Sequence, residues 1–354
     1  MKRLATLWLV AILAAPGIAW SCRCEQRSLG DYFAGADAVA VARLKESNDF
    51  PNRRLLTFEL LAPHYKGSSS LAAGDVVTFA TAISTASCGI QPDQGAVYIV
   101  FAYDREDEAE RLWIDSCSGT RVHLSSSFDE PHGFIDVPAR FVMQQLNGLA
   151  GMEVLRDVAA NAPDPGDADN DRIIGLLDLE LLARGGAVEL FAEPDATTER
   201  VARVEDYRQV ETREFAYERP GAVVFAKPSG WYKIRTSTGD FAWLKAASAD
   251  TFYPYGELPP GRLAYLKRSW SGFVWPEAGA GLPIRSSARS NAEQSEFPAR
   301  VLESVVVAGM PWFRIELYDG EICTSQEPSV SLSGWVPGYG RSGDETVWFY
   351  SRGC

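Results

Sequence analysis

A chain of 354 residues with a formal net charge of −13 is too long for one ordinary core and too acidic to suit nucleic acid or anionic lipid. Two or three domains are expected, and those two partner classes are set aside. Six cysteines, an even number, favour disulfides over thiol chemistry once the chain carries an export leader.

That leader is 1–21. Lys2 and Arg3 form its charged start, Leu4 to Ala15 its apolar run, and small residues close it, which is the pattern of a secretory signal peptide. Cleavage after Ala19 and cleavage after Ser21 both satisfy the small-residue rule. The second makes Cys22 the first residue, and an acylated Cys22 is a third outcome. Loss of the two basic leader residues moves the charge from −13 to −15. No later window offers about 18 continuous apolar residues, so no membrane span is expected. The product is read as exported, periplasmic or extracellular.

In residues 22–136, Ser28 to Phe33 reads as a short capped helix ending near Gly35. Alternating runs then predict strands at Ala38 to Leu44, Leu55 to Leu61, Val76 to Ala80, Ala96 to Tyr103 and Arg111 to Asp115, separated by Gly, Pro, Asn and Asp clusters. Five short strands with little helix point to a small barrel of the OB type, closed or partly open.

Cys22-x-Cys24, the helix, the strand led by Ala36-Asp37-Ala38-Val39, Tyr65-Lys66-Gly67, Ser87-Cys88-Gly89, Gly95-x-x-Tyr98-x-Val100-Phe101-Ala102 and a closing Cys117 follow one another in an order that resembles the netrin-type module. Within it they resemble most the tissue inhibitors of metalloproteinases and their bacterial relatives. The resemblance covers about a third of the chain. It implies bridges Cys22 to Cys88 and Cys24 to Cys117, closing loops long enough for the chain-entropy model to allow at most about 4.5 kcal/mol each. It also implies a mode of action. The α-amine and carbonyl of the first cysteine, here Cys22, would chelate the catalytic zinc of a metalloproteinase in its open coordination position. The next side chain, here Arg23, would enter the specificity pocket, with Cys24 completing the contact. Arg23 stands where the animal inhibitors carry a small hydroxyl residue, and a guanidinium in an apolar pocket needs an acid to meet it.

The region 137–186 is read as a helix and a linker. Ala139 to Ala150 forms the helix, with Pro138 at its first turn and Phe141, Leu146 and Leu149 on one side, expected to pack against the barrel. An acidic linker from Asn161 to Asp171 follows. Within it, Asp167, Asp169, Asp171 and Asp178 fall at the first, third, fifth and twelfth positions of a calcium loop, and Ile173 is placed to offer a backbone carbonyl. The stretch, with Leu179 to Leu182 as its helix, resembles half of a dockerin-type unit. Arg172 replaces the usual turn glycine, and the alternative is a solvated linker whose acids favour the start of the helix. No cofactor is required; calcium is the one candidate.

The remainder is β-rich, with turns about every ten residues. Gly230 to Arg235 and Thr238 to Leu244 form an alternating hairpin that resembles the last hairpin of bacterial SH3-like barrels. Pro311 to Ile315 followed by Gly334-Trp335-Val336 is a looser copy, and Arg262 to Trp275 is expected to be a hairpin at the start of a second barrel or bridging both barrels. Two SH3-like barrels, 187–249 and 250–354, are therefore expected, with Cys323 bridged to Cys354 across the last strand, Thr346 to Tyr350. Trp231, Tyr232, Trp243, Trp312 and Trp335 are candidates for a groove taking a cell-wall peptide or a protein segment, with core packing as the alternative.

No enzyme is expected. The three histidines, His64, His123 and His132, form no common zinc spacing, and no nucleophile elbow or phosphate loop is present. The chain reads as mostly β, with an OB-type five-stranded barrel, flanking helices and two SH3-like barrels. Its expected function is binding or inhibition of a zinc metalloproteinase. A non-inhibitory adaptor or adhesion role is the alternative.

Overall fold

The computed structural model describes residues 22, 24–25, 27–61, 65–67, 74–91, 93–105, 112–123, 139–245, 247, 250–286, 296–319 and 328–352. The leader, Arg23, His64, His132 and the expected Cys323–Cys354 bridge lie outside them. The chain divides into two compact units between Leu146 and Asn147.

In the first unit, α1 (Leu29–Gly35) begins at a capping box: the Ser28 hydroxyl accepts from the Asp31 N–H and the Asp31 carboxylate accepts from the Ser28 N–H, satisfying two of the donors that a helix start leaves open. Six strands follow: β1 (Ala38–Asp49), β2 (Arg54–Leu60), β3 (Val76–Thr81), β4 (Val97–Asp104), β5 (Leu112–Trp113) and β6 (Arg121–His123). The first five close on themselves in the order β1-β2-β3-β5-β4, back to β1. All pairings are antiparallel except β3 with β5, so the barrel is mixed. β6 adds to β4.

Closure depends on β1. Its first half pairs with β4 and its second half with β2, and a register shift between Leu44 and Glu46 lies in the β2-paired half. An irregularity of this kind bends a strand and increases its twist, which is what a single strand needs in order to serve two neighbours round a barrel. Side chains two apart fill the interior: Ala40, Ala42 and Leu44 from β1, Leu56, Phe58 and Leu60 from β2, Tyr98, Val100 and Ala102 from β4. Phe58 lies edge-on to both Phe79 and Tyr98.

Two of the short motifs have local work outside the core. Lys66 Nζ donates to the carbonyls of Phe33 (3.1 Å) and Ala34 (3.0 Å), so a cation closes the C-terminal end of α1. In Ser87-Cys88-Gly89, Cys88 is left-handed (φ 65°) and Gly89 lies so close to the carbonyl of Ala82 that a Cβ would collide with it.

α2 (Ala139–Asn161) is longer than expected and crosses the division between the units. Val142, Leu146, Ala150, Val154 and Val158 form its buried stripe, and the hydroxyl of Tyr65 lies 3.2 Å from Met143 Sδ.

The second unit is built from antiparallel sheets. β7 (Gly175–Asp178), the single-turn α3 (Glu180–Ala183), β8 (Val188–Phe191), β9 (Arg200–Val204), β10 (Thr212–Ala216), β11 (Arg219–Ala226), β12 (Trp231–Arg235), β13 (Phe241–Lys245) and β14 (Thr251–Pro254) form one sheet region, in the order β14-β7-β11-β12-β13-β8-β9 with β10 on β11. β15 (Leu263–Leu266), β16 (Phe273–Val274), β17 (Ile284–Arg285), β18 (Phe297–Val307), β19 (Met310–Asp319), β20 (Ser329–Pro337) and β21 (Val347–Phe349) supply a second sheet, β20-β19-β18-β15-β21, and the small pair β16-β17. The hairpin β12-β13 and the pairing of β19 with β20 are as expected.

Two expectations are corrected. Among the described residues neither sheet closes into an SH3-like barrel, because β7 and β14 extend the first sheet beyond β11 and no pairing joins β14 to β9. The segment Arg262 to Trp275 is not a hairpin: β15 pairs with β18 and β21, whereas β16 pairs with β17. Within this unit the buried Tyr255 ties the sheets together. Its N–H donates to the carbonyl of Ile174, and its hydroxyl donates to the Val347 carbonyl (2.7 Å) and accepts from the Val347 N–H (3.1 Å).

Substitution of Gly89 by Ala forces a methyl group against the Ala82 carbonyl beside a bridged cysteine. Chemical denaturation should show a loss of about 1–3 kcal/mol, the usual cost of overpacking, whereas Gly74→Ala, where a Cβ would meet nothing, tests only the strain of a positive φ.

Candidate functional site

Cys22 and Cys24 precede α1 and are each bridged to the barrel, Cys22 to Cys88 and Cys24 to Cys117, with Cα atoms 5.1 and 4.9 Å apart. This is the pairing that the resemblance implied. Cys88 caps the short helical turn after β3, and Cys117 sits in the turn after β5. The two bridges lie against one another: Cys22 Sγ is 3.5 Å from Cys117 Sγ, which is 3.7 Å from Cys88 Sγ. Bridges of this kind belong to an oxidising compartment, and no helix among the described residues is long and apolar enough to cross a membrane.

The turn that carries Cys117 is held from several sides. The Ser116 N–H donates to the carbonyl of Cys88 (2.9 Å), the Cys117 N–H to Asp115 Oδ1 (2.8 Å), and the Ser118 hydroxyl to the carbonyl of Asp115 (2.8 Å). Thr120 Oγ1 fixes the end of the turn to β4 by accepting from the Phe101 N–H (3.0 Å) and donating to the Phe101 carbonyl (3.1 Å). The other oxygen of Asp115 accepts from the Tyr103 hydroxyl at 2.5 Å. Arg105 lies 4.2 Å above the Trp113 ring and donates to the same hydroxyl at 3.3 Å. Burial, and then the carboxylate of Asp115, push the Tyr103 hydroxyl up to about 12. An exposed cleft of about 390 Å³ opens beside the bridges, lined among others by Cys24, Glu25, Arg27, Asp31, Tyr32 and Tyr103. Nothing in the alternation of the strand Val97–Asp104 marks Tyr103 and Asp115 as a pair.

The residues of the acidic loop are dispersed. Asp178 lies in β7 with its carboxylate 2.6 Å from Arg219, and the Ile173 carbonyl accepts from the Tyr339 hydroxyl at 2.9 Å. Among the described residues the carboxylates of Asp167, Asp169, Asp171 and Asp178 do not gather into one ligand group. A cation is nevertheless present. Lys233, 7% exposed, reaches the loop from β12 and donates to the carbonyls of Ala168 (2.8 Å) and Asn170 (2.9 Å). Burial lowers the affinity of its amine for the proton, and Asp169, Asp171 and Asp167 oppose that.

The five aromatics do not line one groove. Trp231 and Trp243 pack with Ala226 and Phe191, Tyr232 joins the main core of the first sheet, and Trp312 is buried edge-on to Trp275. Trp335 is half-buried on β20 and bridges to Trp275 through backbone hydrogen bonds of 2.7 and 2.8 Å. A different set of residues surrounds a cleft of this unit, about 490 Å³ in volume, with Arg213, Glu214, Lys267 and Glu296 beside Tyr265, Trp348 and Tyr350 in its wall. Beneath it the carboxylate of Glu345, 4% exposed, takes both Arg213 (2.6 Å) and Lys267 (2.5 Å). Burial alone would raise Glu345; the two cations outweigh it and hold the carboxyl below its ordinary value.

A hydroxyl whose folded value exceeds its unfolded one stabilises the fold below the unfolded value and loses that contribution as pH rises through the folded one. Tyr103 should therefore weaken the first unit as pH rises from 10 to about 12. Tyr207, Tyr255 and Tyr339 are pushed up as well, so the difference in tyrosinate absorbance between wild type and Tyr103→Phe should isolate one late-titrating group, and that group should titrate earlier in Asp115→Asn. For the acidic loop, Lys233 already supplies a cation, so calorimetry with calcium should give the same trace for the wild type and Asp169→Ala; a binding event lost in the variant would overturn this. Comparison with known proteins finds no matching family model and no matching curated relative.

Proposed function

We propose that the chain is an exported binding protein whose first unit docks a zinc metalloproteinase through a mature terminus at Cys22. The observation that carries the reading is the double anchorage of the CxC segment: both cysteines are bridged to turns of one closed barrel, in the pairing of the netrin-type inhibitors. The strand order β1-β2-β3-β5-β4 with a parallel β3-β5 pair supports an OB-type barrel underneath it. A terminus held in this way loses little freedom on entering a cleft, so more of its contact energy appears as affinity. Its α-amine and carbonyl are N and O donors of the kind that zinc accepts in an open coordination position. Arg23 would then favour a target with an acid in its specificity pocket.

The alternative is a non-inhibitory adaptor. Its support lies in the second unit, in the cleft where Arg213 and Lys267 share one buried carboxylate between aromatic walls. Glu214 and Glu296 share that wall, so the cleft offers both signs of charge beside aromatic rings, the chemistry that suits a peptide segment of a cell wall or protein.

Mass spectrometry of the exported chain should find Cys22 first and unmodified. Titration against zinc endopeptidases should then give inhibition that disappears when the α-amine is acetylated, with no change in the melting curve. A chain starting at Trp20, an acylated Cys22, or inhibition indifferent to acetylation rejects the inhibitory reading and leaves the adaptor.

A further inference from the structure

The same four cysteines form a compact sulfur group, and the geometry points to a second state in which, after reduction, Cys22, Cys24, Cys88 and Cys117 bind one zinc ion as a tetrathiolate. In a tetrahedral site with Zn–S bonds of about 2.3 Å the sulfur atoms lie about 3.8 Å apart. Three of the four separations between sulfurs of different bridges already match that edge: 3.5 Å for Cys22 with Cys117, 3.7 Å for Cys88 with Cys117 and 3.9 Å for Cys22 with Cys24. Cys22, Cys88 and Cys117 lie within 4.8 Å of one another, and Cys24 stands outside that group. The two bonded pairs need to separate and Cys24 needs to approach Cys88, and the structure says which partner can move. Cys88 and Cys117 sit on turns joined by the Ser116 N–H to the Cys88 carbonyl, whereas Cys22 and Cys24 lie ahead of α1 without strand pairing. Two fixed ligands and two adjustable ones can therefore meet one ion without disturbing the barrel.

The chemistry balances. Each of two dithiol reductant molecules passes two electrons to one bridge, becoming a cyclic disulfide and leaving two protein thiols. The four thiols then release their protons to solvent as the sulfurs take the ion. Cys22, Cys88 and Cys117 are half-buried and Cys24 is exposed, so a small reductant has access. Zinc would restore a link between the N-terminal segment and the barrel without a covalent bond, stabilising the folded form by mass action.

The test uses the whole exported chain, reduced by a dithiol under exclusion of air, freed of reductant and titrated with cobalt(II) and then zinc. The expected results are one ion per chain, the absorption bands of a tetrahedral cobalt tetrathiolate, their loss on adding zinc, and a higher melting temperature with zinc than without. Cys22→Ser and Cys117→Ser should each weaken binding at least tenfold, while the double variant Cys323→Ser/Cys354→Ser should bind as the wild type does. If the reduced chain is unfolded without metal, recovery of the circular dichroism spectrum on adding zinc serves as the readout, and no recovery counts against the proposal. Absence of a one-to-one complex, an octahedral cobalt spectrum, or binding that survives Cys22→Ser/Cys24→Ser overturns it. The oxidised chain should take no ion in the same titration, so the result is independent of protease inhibition.

Discussion

The first unit depends on two covalent ties between an otherwise unpaired segment and a closed sheet. Without them, the residues ahead of α1 would keep its capping box, a long hydrogen bond from the Tyr32 hydroxyl to the Glu25 carbonyl and weak sulfur contacts with the Ser116 hydroxyl. Each tie ends in a turn that is itself determined by the barrel, one after β3 and one after β5. β3 and β5 are parallel neighbours in the ring, so both anchor points follow strands that pair with one another.

That dependence explains how the local motifs relate to the larger fold. The left-handed Cys88 and the space-limited Gly89 set the direction in which a sulfur leaves the barrel. The hydrogen bonds among Asp115, Ser116, Ser118 and Thr120 do the same for Cys117. Lys66 holds the far end of α1, so the segment between the bridges and β1 is fixed at both ends.

Five strands of the first unit were legible, β2 through its period of two and β1 and β4, buried on both faces, as apolar runs bounded by turn residues, whereas the short β6 was not anticipated. The capped start of α1 was legible for a similar reason, since Ser28 and Asp31 carry their function in their own side chains. Closure was not legible, because a register shift in β1 and a single parallel pair are long-range events with no local signature. In the second unit the Gly-Trp-Tyr hairpin was readable as a hairpin, but its aromatics are core residues: an alternating strand reads the same whether its large side chains meet a ligand or a neighbouring sheet. The charged group of Arg213, Lys267 and Glu345 was invisible for another reason, its members being 54 and 78 positions apart along the chain before the sheet brings them together.

The acidic loop shows how such long-range events alter local meaning. Spacing alone places Asp167, Asp169 and Asp171 around a metal, yet an amino group from a strand more than 60 residues later reaches the carbonyls between them. A counter-ion tethered through its own backbone cannot be diluted away or stripped by a chelator, so the contact between Lys233 and these two carbonyls asks nothing of the surrounding fluid.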